Sequence, residues 1–492
     1  MPNTIARPPI VTILGHVDHG KTTLLDFIRQ SRIADKEHGG ITQKIGAYEI
    51  STDIKDYHTN KITFIDTPGH EAFSKLRARG ANVADIAILI IDAKDSVMPQ
   101  TIESISHIRS AKIPFIVALN KVDLPEANPE KVKKDLLKYE IQVEGMGGGI
   151  PVVPISAKTG KGVHELMESI LLIASDLNLK YSQENPPRAI IIETKKNRRG
   201  VVVSTVIKDG VLKIGDLIIN DGKKTKIRSM ANDLGESLSQ VVPSTPFELF
   251  GFAEMPEVGT VISLQSEFSK ETSHPATTVS QPSTISQTVD LEALLNPKKE
   301  EQKLSLVVKA DSQGSLEAIN QTLATNPHIE VVLAGVGDVH KSDIFLAKST
   351  KSIIVGFAVD VSDEAQELAK QEKVIIKNYT IIYHLLEELT EVTNLLQEKK
   401  QQEKSLKGSA KILANFTIEG EKVFGVKITK GKINLGDSLE VYREDNLIGK
   451  TKLVSLKVRA KVVQEVKKDQ EAGMILSPSL DFRVGDMIKC IL

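Results

Sequence analysis

The stretch Gly15–Thr22 constrains the fold of this chain more than any other. It follows the apolar, β-branched run Ile10–Leu14, which predicts a buried strand, and precedes Thr23–Gln30, which predicts a helix. A glycine-rich turn in this setting is typical of a phosphate-binding loop, because backbone N–H groups and the positive helix end surround the phosphates. Lys21 would reach the β- and γ-phosphates, and the Thr22 hydroxyl would bind Mg²⁺. An isolated match of this type is sometimes only a turn, so the interpretation depends on further motifs.

Three further motifs follow strand-like runs in the same way. They are Asp66–His70 after Lys61–Ile65, Asn120–Asp123 after Phe115–Leu119, and Ser156–Lys158 after Val152–Ile155. Because ligands of open α/β sheets bind at the carboxyl ends of the strands, we expect all four motifs to meet at one edge of a sheet. Four motifs in this order argue strongly against the interpretation of the loop as a simple turn.

The chemistry of these motifs favours GTP. Asp66 would hold Mg²⁺ through water, and the N–H of Gly69 would contact the γ-phosphate. The Asp123 carboxylate would accept two hydrogen bonds from the N1–H and 2-amino groups of guanine, a donor pair that adenine lacks. The backbone of Ser156–Lys158 would donate to the guanine oxygen. The predicted nucleotide-binding residues are Gly15, His16, Val17, Asp18, His19, Gly20, Lys21, Thr22, Thr23, Asp66, Gly69, Asn120, Lys121, Asp123, Ser156, Ala157 and Lys158.

The composition excludes several classes of protein. A chain of 492 residues with 40% hydrophobic residues is long enough for three to five domains, each with a core. No apolar run reaches membrane-spanning length, and the first residues lack the basic-then-apolar pattern of a signal peptide. A single cysteine, Cys490, excludes a disulfide framework and favours the reducing cytoplasm. Because Cys490 lies in an apolar ending, we expect a core residue and no nucleophile.

Charge is distributed unevenly along the chain. The net charge is −1, but residues 405–492 contain 16 Lys and Arg against 11 Asp and Glu. A basic terminal module favours an anionic partner such as RNA, although a solvated charged surface explains the excess equally well.

The residue pattern predicts an α/β multidomain protein with a P-loop GTPase domain, two β-barrels and a second α/β domain. We expect a GTP-binding domain over 1–180, a β-barrel over 187–267, a flexible linker over 268–300, an α/β domain over 301–379, a connecting helix over 380–404 and a C-terminal β-barrel over 405–492. Short, closely spaced strands indicate the barrels. The linker is rich in Ser, Thr, Pro and Gln, with a short helix expected at Asp290–Leu295.

Helical spacing of apolar residues predicts the connecting helix. These residues are Ile381, Leu385, Leu389, Val392 and Leu396. A helix of this length spans about 40 Å, and it either packs against a neighbour or holds the last module away as a rigid arm. The second α/β domain lacks a phosphate loop, and its segment Asp311–Ser315 predicts a helix cap.

Taken together, Gly15–Thr23 and Asp66–His70 resemble the motifs of the translational GTPases. Two details narrow the resemblance to the bacterial translation initiation factor two family. Lys21 and Thr42 are only 21 positions apart, whereas an elongation factor that carries aminoacyl-tRNA has a longer insert there. The segment Gly39–Tyr48 also resembles the switch of that family.

The order of modules and two later segments, Ile353–Val359 and Lys377–Tyr383, resemble the same family, so the resemblance covers nearly the whole chain. It implies a cytoplasmic, ribosome-associated GTPase, expected to be a monomer, that converts GTP and water to GDP and phosphate. It also implies that the protein places formylmethionyl initiator tRNA on the small ribosomal subunit and promotes joining of the large subunit.

The resemblance also implies roles for individual residues. Thr42 would be a further protein ligand of Mg²⁺, ordered only when the γ-phosphate is present. His70 would be catalytic by positioning the attacking water, with a capping histidine as the alternative. Val17 and Ile41 resemble the hydrophobic gate that keeps this histidine away from the water until the ribosome docks. Asp18 would favour a monovalent cation, and without an evident arginine finger we expect slow intrinsic hydrolysis.

The C-terminal barrel matches the family's initiator-tRNA module only in part. Residues that match the pocket for the formyl-methionyl end are Gly425, Lys457, Glu471 and Gly473. Two cysteines that line this pocket in the family are replaced by Val426 and Ala472, and an arginine by Val458. Nearby basic residues for acceptor-stem phosphates are Lys450, Lys452, Arg459 and Lys461. We therefore expect initiator-tRNA binding, while the strictness of formyl recognition stays open.

Two other functions compete with this interpretation. An elongation- or recycling-type factor is disfavoured by the short switch and the long helix. A GTP-dependent regulator would bind ribosomes without delivering initiator tRNA. An unrelated P-loop ATPase is excluded by Asn120–Asp123, because that motif recognises guanine.

Overall fold

The computed structural model describes residues 4–29, 45–55, 57–197, 199–264, 303–404, 406–418, 421–444, 446–459, 461–478 and 481–491. The chain divides into two compact units, Met1–Leu385 and Leu386–Leu492. Ile41, Thr42, the predicted linker 268–300 and its expected helix at Asp290–Leu295 lie outside the described residues. Across the described ranges, no helix is both long enough and apolar enough to cross a membrane.

The first α/β region contains eight strands in the described part of residues 1–187. They are β1 (Thr4–Ala6), β2 (Ile10–Gly15), β3 (Gly46–Ser51), β4 (Lys61–Asp66), β5 (Ile86–Asp92), β6 (Phe115–Asn120), β7 (Val152–Pro154) and β8 (Lys180–Ser182). Six of them form a sheet in the order β3-β4-β2-β5-β6-β7, in which only β3 is antiparallel to its neighbour. All residues of β2 and β5 are buried, as expected of central parallel strands covered by helices on both faces.

Helices cover this sheet. They are α1 (Lys21–Arg29), α2 (Ser74–Val83), α3 (Pro99–Ala111), α4 (Pro129–Leu137) and α5 (Val163–Asp176), and a 3₁₀ turn, Glu71–Phe73, precedes α2. Two apolar clusters contain alternate residues of β2, with Ile13 in one and Leu14 in the other. The α/β class is therefore confirmed, and the carboxyl ends of β2, β4, β6 and β7 lead directly into the four predicted motifs.

An all-β region follows. Its strands are β9 (Arg188–Asn197), β10 (Gly200–Asp209), β11 (Leu212–Lys213), β12 (Leu217–Asn220), β13 (Lys223–Lys226), β14 (Ser229–Ala231), β15 (Ser237–Leu238), β16 (Gln240–Val241), β17 (Pro246–Phe250) and β18 (Val261–Leu264). Eight of them form one sheet in the order β13-β12-β18-β9-β10-β17-β14-β15, and all pairings are antiparallel. Alternate residues such as Ile191, Val203 and Leu249 point into one shared core.

The second α/β region is a four-stranded parallel sheet in the order β20-β19-β21-β22. Its elements are β19 (Leu304–Ala310), α6 (Gln313–Ala324), β20 (Ile329–Val336), α7 (Lys341–Thr350), β21 (Ile353–Phe357), α8 (Asp363–Glu372) and β22 (Ile376–Tyr379). The long helix α9 (Ile382–Lys404) follows, and Ile382 and Leu385 in its first turn are fully buried in the first unit.

The second unit contains residues 386–404 of α9 and a closed barrel. Its strands are β23 (Leu406–Ile418), β24 (Glu421–Asn434), β25 (Ser438–Arg443), β26 (Asn446–Val458), β27 (Lys461–Val462), β28 (Glu465–Lys467), β29 (Glu471–Ser477) and β30 (Met487–Ile491). The order β23-β30-β25-β26-β29-β24 returns to β23 through a β23–β24 pairing, which closes the barrel. The C-terminal β-barrel is confirmed, with inward residues such as Phe424, Leu456 and Ile488 in its core.

Candidate functional site

The loop between β2 and α1 approaches its neighbours so closely that two positions require glycine. A Cβ atom at Gly15 would lie 2.4 Å from the carbonyl oxygen of Ile90, and one at Gly20 would lie 2.2 Å from Nδ2 of Asn120. Both glycines have positive φ angles, which other residues rarely adopt. The loop therefore lies against β5 on one side and against the Asn120–Asp123 motif on the other.

Lys21 is the first residue of α1, and its ammonium group is enclosed by the loop. Its Nζ donates to the carbonyl oxygens of Gly15 at 3.1 Å and His16 at 2.6 Å. Burial lowers the pKa of Lys21 to about 8, although the charge of Asp66 opposes this shift. A phosphate beside Nζ would supply the anionic partner that a buried ammonium needs.

Asn120 connects three of the four motifs. Its Nδ2 donates to the carbonyl oxygen of His19 at 2.8 Å, and its Oδ1 accepts from the N–H of Ala157 at 2.9 Å. These bonds hold the loop, the guanine motif and the last motif in one arrangement. Sequence reasoning placed the motifs at one edge of the sheet but did not predict that a single side chain joins them.

Two other residues of the guanine motif, Lys121 and Asp123, lie in different environments. Lys121 forms an ion pair of 2.6 Å with the buried Asp92, whereas Asp123 is exposed. An exposed carboxylate after a strand end is accessible to a base, and the ion-paired Lys121 lies two residues before it. This arrangement fits the predicted contacts with guanine.

His19 is buried, which no local pattern of residues predicted. Its Nδ1 accepts from the N–H of Asp92 at 3.2 Å. Burial, followed by the nearby His16 and Lys21, lowers the pKa of His19 to about 4. The imidazole is therefore neutral at physiological pH, and it anchors the loop to the end of β5 without adding charge.

His70 caps the 3₁₀ turn that precedes α2. Its Nδ1 accepts from the N–H of Ala72 at 2.9 Å, so a neutral ring carries its proton on Nε2. The side chain is buried, and Nε2 has no hydrogen-bond partner among the described residues. Burial lowers the pKa of His70, and the charge of Arg77 adds to this effect. The structure thus places His70 in the capping position that the sequence offered as the alternative to a water-orienting one.

Arg77 fixes the backbone around His70, and sequence reasoning missed it. The guanidinium is fully buried on α2 and donates to the carbonyl oxygens of Pro68 and His70. It also forms a bidentate ion pair with Glu103 on α3, at 2.6 and 2.8 Å. Nothing in the sequence separates Arg77 from Arg79, because its role depends on packing between two helices.

Of the predicted metal ligands, Thr22 and Asp66 lie within the described residues, whereas Thr42 does not. Asp66 ends β4 and is the register partner of Ile13 in the neighbouring β2, so it lies at the same sheet edge as Thr22 at the start of α1. A hydroxyl and a carboxylate at this edge fit the oxygen ligands that Mg²⁺ prefers. The roles of Thr42 and Ile41 stay predictions.

Three predicted tRNA-binding residues lie in one row across the barrel of the second unit. Gly425 pairs with Ala414 on one side and with Gly473 on the other, and Gly473 pairs with Lys457. Lys457 is exposed and both glycines are half-buried, so this row faces outward. A methyl group added at Gly425 would already lie 3.4 Å from the Ala414 Cβ.

The remaining predicted residues of this module are also exposed. Glu471 begins β29 opposite Lys427, and Arg459 follows the end of β26. Lys450 and Lys452 lie on β26, where Lys450 forms a 2.9 Å ion pair with Glu440.

The expectation that positions 426 and 472 line the pocket is wrong. Val426 and Ala472 are buried in the barrel core, because successive residues of a strand point to opposite faces. The replacement of two family cysteines therefore changes the packing beneath the row and leaves its outward surface unchanged. Cys490 belongs to the same core, where burial raises the pKa of its thiol to about 12, so the prediction of a core residue is confirmed.

Three family models match successive parts of the chain. The Elongation factor Tu GTP binding domain matches residues 7–176, Elongation factor G domain 2 matches residues 186–264, and Translation-initiation factor 2 matches residues 281–390. The first match establishes GTP binding as the property of the α/β region that holds the four motifs.

Several curated relatives are similar over almost the whole chain. Translation initiation factor IF-2 of Thermosipho africanus is 41% identical, and that of Thermotoga sp. strain RQ2 is 40% identical, over 99% of this chain and 71% of each relative. The corresponding factor of Parvibaculum lavamentivorans is 41% identical over 99% of this chain and 56% of its own length. The chain thus spans between about half and about three quarters of the length of these relatives. This similarity confirms the resemblance found in the motifs, and the chain belongs to the translation initiation factor IF-2 family of GTP-binding translational GTPases.

Proposed function

We propose that this chain hydrolyses GTP on the ribosome during translation initiation and binds formylmethionyl initiator tRNA through its C-terminal barrel. The observation that carries the proposal is the set of hydrogen bonds by which Asn120 joins the loop to Ala157. These bonds bring the phosphate and guanine motifs into one nucleotide site. Family membership supports initiation as the context, with the ribosome as the partner.

In the proposed site the loop residues Gly15–Thr23 surround the phosphates, and Lys21 provides the positive charge. Asp123 accepts hydrogen bonds from the guanine edge, and the backbone of Ser156–Lys158 donates to the guanine oxygen. The enclosed Lys21 and the exposed Asp123 support these two assignments.

Thr22, Thr42 and, through water, Asp66 would hold Mg²⁺. The bound ion supplies positive charge next to the phosphate oxygens. Asp18 is exposed in the loop and would favour a monovalent cation nearby. These assignments fit the sheet edge at which the ends of β2 and β4 meet.

We assign to His70 the orientation of the attacking water. Phosphoryl transfer needs positioning and charge stabilisation more than covalent participation. Since His70 caps the 3₁₀ turn in this structure, its ring must leave that cap before it orients water. In the proposal, Val17 and Ile41 form the gate, and docking on the ribosome opens it. With the gate closed, we expect slow GTP hydrolysis away from the ribosome.

The row formed by Gly425, Gly473 and Lys457 is the proposed contact for the formyl-methionyl end. The small residues leave space on the outward face, and Lys457 adds a positive charge at the end of the row. Glu471 and Arg459 extend this surface, and the lysines of β26 would contact acceptor-stem phosphates.

The test compares formylated and unformylated Met-tRNA bound to the full chain, with protection of the aminoacyl ester from alkaline hydrolysis as the readout. We expect stronger protection of the formylated species and weaker protection by Lys457→Ala. Lys467→Ala is the matched control, because Lys467 is an exposed lysine on β28, outside the row. Equal protection of the two tRNA species, together with an intact ribosome-stimulated GTPase activity, would support the regulatory GTPase instead.

A further inference from the structure

The ring of His70 lies against an aromatic residue from the start of α9. The centroids of the His70 and Tyr383 rings are 4.1 Å apart, with 47° between their planes. Phe73 makes a second ring contact with His70, at 6.0 Å and nearly perpendicular. No motif in the sequence connects Tyr383 with the nucleotide site.

Tyr383 also lies near the nucleotide loop. Burial, followed by the charges of Asp18 and Glu71, raises the pKa of its hydroxyl. Asp18 belongs to the nucleotide loop, and Glu71 directly follows His70 at the start of the 3₁₀ turn. Tyr383 is 37% exposed whereas His70 is buried, so Tyr383 is the solvent-accessible member of this ring pair.

The packing of the second α/β region holds Tyr383 in this place. Its neighbours Ile382 and Leu385 are fully buried, so the first turn of α9 has little freedom to shift alone. The same region contacts α2 through an ion pair of 3.1 Å between Arg79 and Glu317 of α6. The position of the Tyr383 ring is therefore set by the way this region packs on α2 and the 3₁₀ turn.

The backbone and the side chain of His70 are held by different contacts. Arg77 fixes the backbone carbonyl, while the cap to Ala72 and the ring contact with Tyr383 hold the imidazole. The cap and the ring contact thus both involve the imidazole, whereas the bond from Arg77 involves only the backbone.

We propose that Tyr383 is a positioning residue for GTP hydrolysis, which retains His70 in the capping arrangement until the first turn of α9 moves away. The inference rests on the role of His70 in the proposed function. Tyr383 slows GTP hydrolysis, because its ring lowers the fraction of molecules in which His70 reaches the attacking water.

The experiment measures single-turnover GTP hydrolysis by the full chain in the absence of ribosomes. We expect Tyr383→Ala to raise the rate about three- to tenfold, the range that corresponds to the loss of one aromatic contact. GTP affinity should stay within about twofold of the starting protein, since Tyr383 is not a nucleotide ligand. Tyr383→Phe is the matched control and should keep the original rate, because the ring and not the hydroxyl makes the contact.

Two further readouts separate positioning from a general structural effect. Exposure of His70 in Tyr383→Ala should raise the pKa of its imidazole towards the ordinary value, which an NMR titration of the histidine ring would detect. In a His70→Ala background, Tyr383→Ala should not change the ribosome-free rate. An equal increase in that background would overturn the inference, because the ring would then act through another group.

An unchanged ribosome-free rate in folded Tyr383→Ala would also overturn the inference. It would leave the proposed function untouched, because the role of His70 is tested separately by the ribosome-stimulated rate of His70→Ala. If Tyr383→Ala unfolds, Tyr383→Leu replaces it, since leucine keeps apolar bulk without a flat ring. A faster ribosome-free rate in Tyr383→Leu supports the proposal, and an unchanged rate contradicts it.

Discussion

The two α/β regions use the same local structure for opposite purposes. In each, a buried strand leads through a short turn into a helix, β2 into α1 and β19 into α6. The first turn carries Lys21 and encloses a site for phosphates. The second turn is filled by a carboxylate of the protein itself, because Glu193 of β9 accepts from the N–H of Gly314 at 3.1 Å. A helix N-terminus attracts anions in both places.

The contact between β9 and the second turn is called the joint, defined by Glu193 of β9, Ser312 of the turn and Gly314 at the start of α6. Ser312 donates to Glu193 at 3.3 Å and also accepts from the N–H of Ser315 at the helix start. A Cβ atom at Gly314 would lie only 2.4 Å from a carboxylate oxygen of Glu193. The helix start is thus open to an external phosphate at the first turn, whereas the Glu193 carboxyl already occupies the corresponding place at the second.

The largest expected effect comes from removing Lys21 at the first turn. We expect Lys21→Ala to weaken GTP binding by at least about 1,000-fold, since an enclosed cation and its hydrogen bonds to phosphate are lost together. Titration with a fluorescent GTP analogue measures this. Lys341→Ala is the matched control, because Lys341 is also the first residue of a helix, α7, but is largely exposed. A similar loss in both variants would contradict the assignment.

A second change separates binding from chemistry in the first turn's site. His70→Ala should retain GTP affinity within about twofold but lower the ribosome-stimulated rate by about 100- to 1,000-fold. Stopped-flow phosphate release with and without ribosomes measures both rates. Normal stimulated turnover would remove His70 from the mechanism.

The joint of the second region is expected to respond to pH. Burial raises the pKa of Glu193 to about 7, against the opposing effects of hydrogen bonds from Thr194 and Gly314 and of the charge of Arg79, while Asp311 adds to the rise. A raised pKa means that the stabilisation is complete below about pH 4.5 and is lost as pH rises through about 7. The loss amounts to at most about 3 kcal/mol.

Glu193→Gln should remove this pH dependence, because glutamine keeps the acceptor without ionising. Thermal unfolding of the full chain between pH 5 and 8, together with hydrogen exchange at the start of α6, measures the change. Glu248→Gln on β17 of the same sheet is the control, since Glu248 is half-exposed and pairs with Lys195 at the surface. If the thermal unfolding midpoint of Glu193→Gln changes with pH as it does in the starting protein, another group causes the pH dependence.

The smallest expected effect is a loss of stability when the serine that caps α6 is removed. Ser312→Ala should destabilise the second region by about 1 kcal/mol, because Ser315 loses its hydrogen-bond acceptor. Ser362 caps α8 in the same way, with 3.3 Å between its Oγ and the N–H of Ala365, but it does not contact Glu193. Ser312→Ala should therefore cost more than Ser362→Ala in denaturant unfolding. Equal costs would mean that the hydroxyl contributes nothing to the joint.

The sequence predicted the features that depend on neighbouring residues. Strand, turn and helix around Gly15–Thr22 follow from local patterns, and the order of the four motifs is enough to indicate GTP. The bonds of Asn120 to His19 and Ala157 were not predictable in this way, because they join segments far apart in the chain.

Local sequence patterns did not identify the residues whose role depends on packing between regions. Arg77, Glu193 and Tyr383 look like ordinary residues of a helix or strand, and only the assembled fold shows what they contact. The error at Val426 and Ala472 has a different origin. A family resemblance identifies positions but not the face of the strand, whereas the alternating apolar pattern of β24 would have placed Val426 inward.

The enclosed Glu193 also couples the opening of the joint to the release of a proton. Its carboxyl keeps a proton near neutral pH only while α6 and β9 enclose it, because a solvated glutamate has a pKa near 4.5. Opening of the joint to water therefore releases a proton, and by linkage a higher pH favours the opened form. Proton release into a weakly buffered solution would therefore report the separation of α6 from β9.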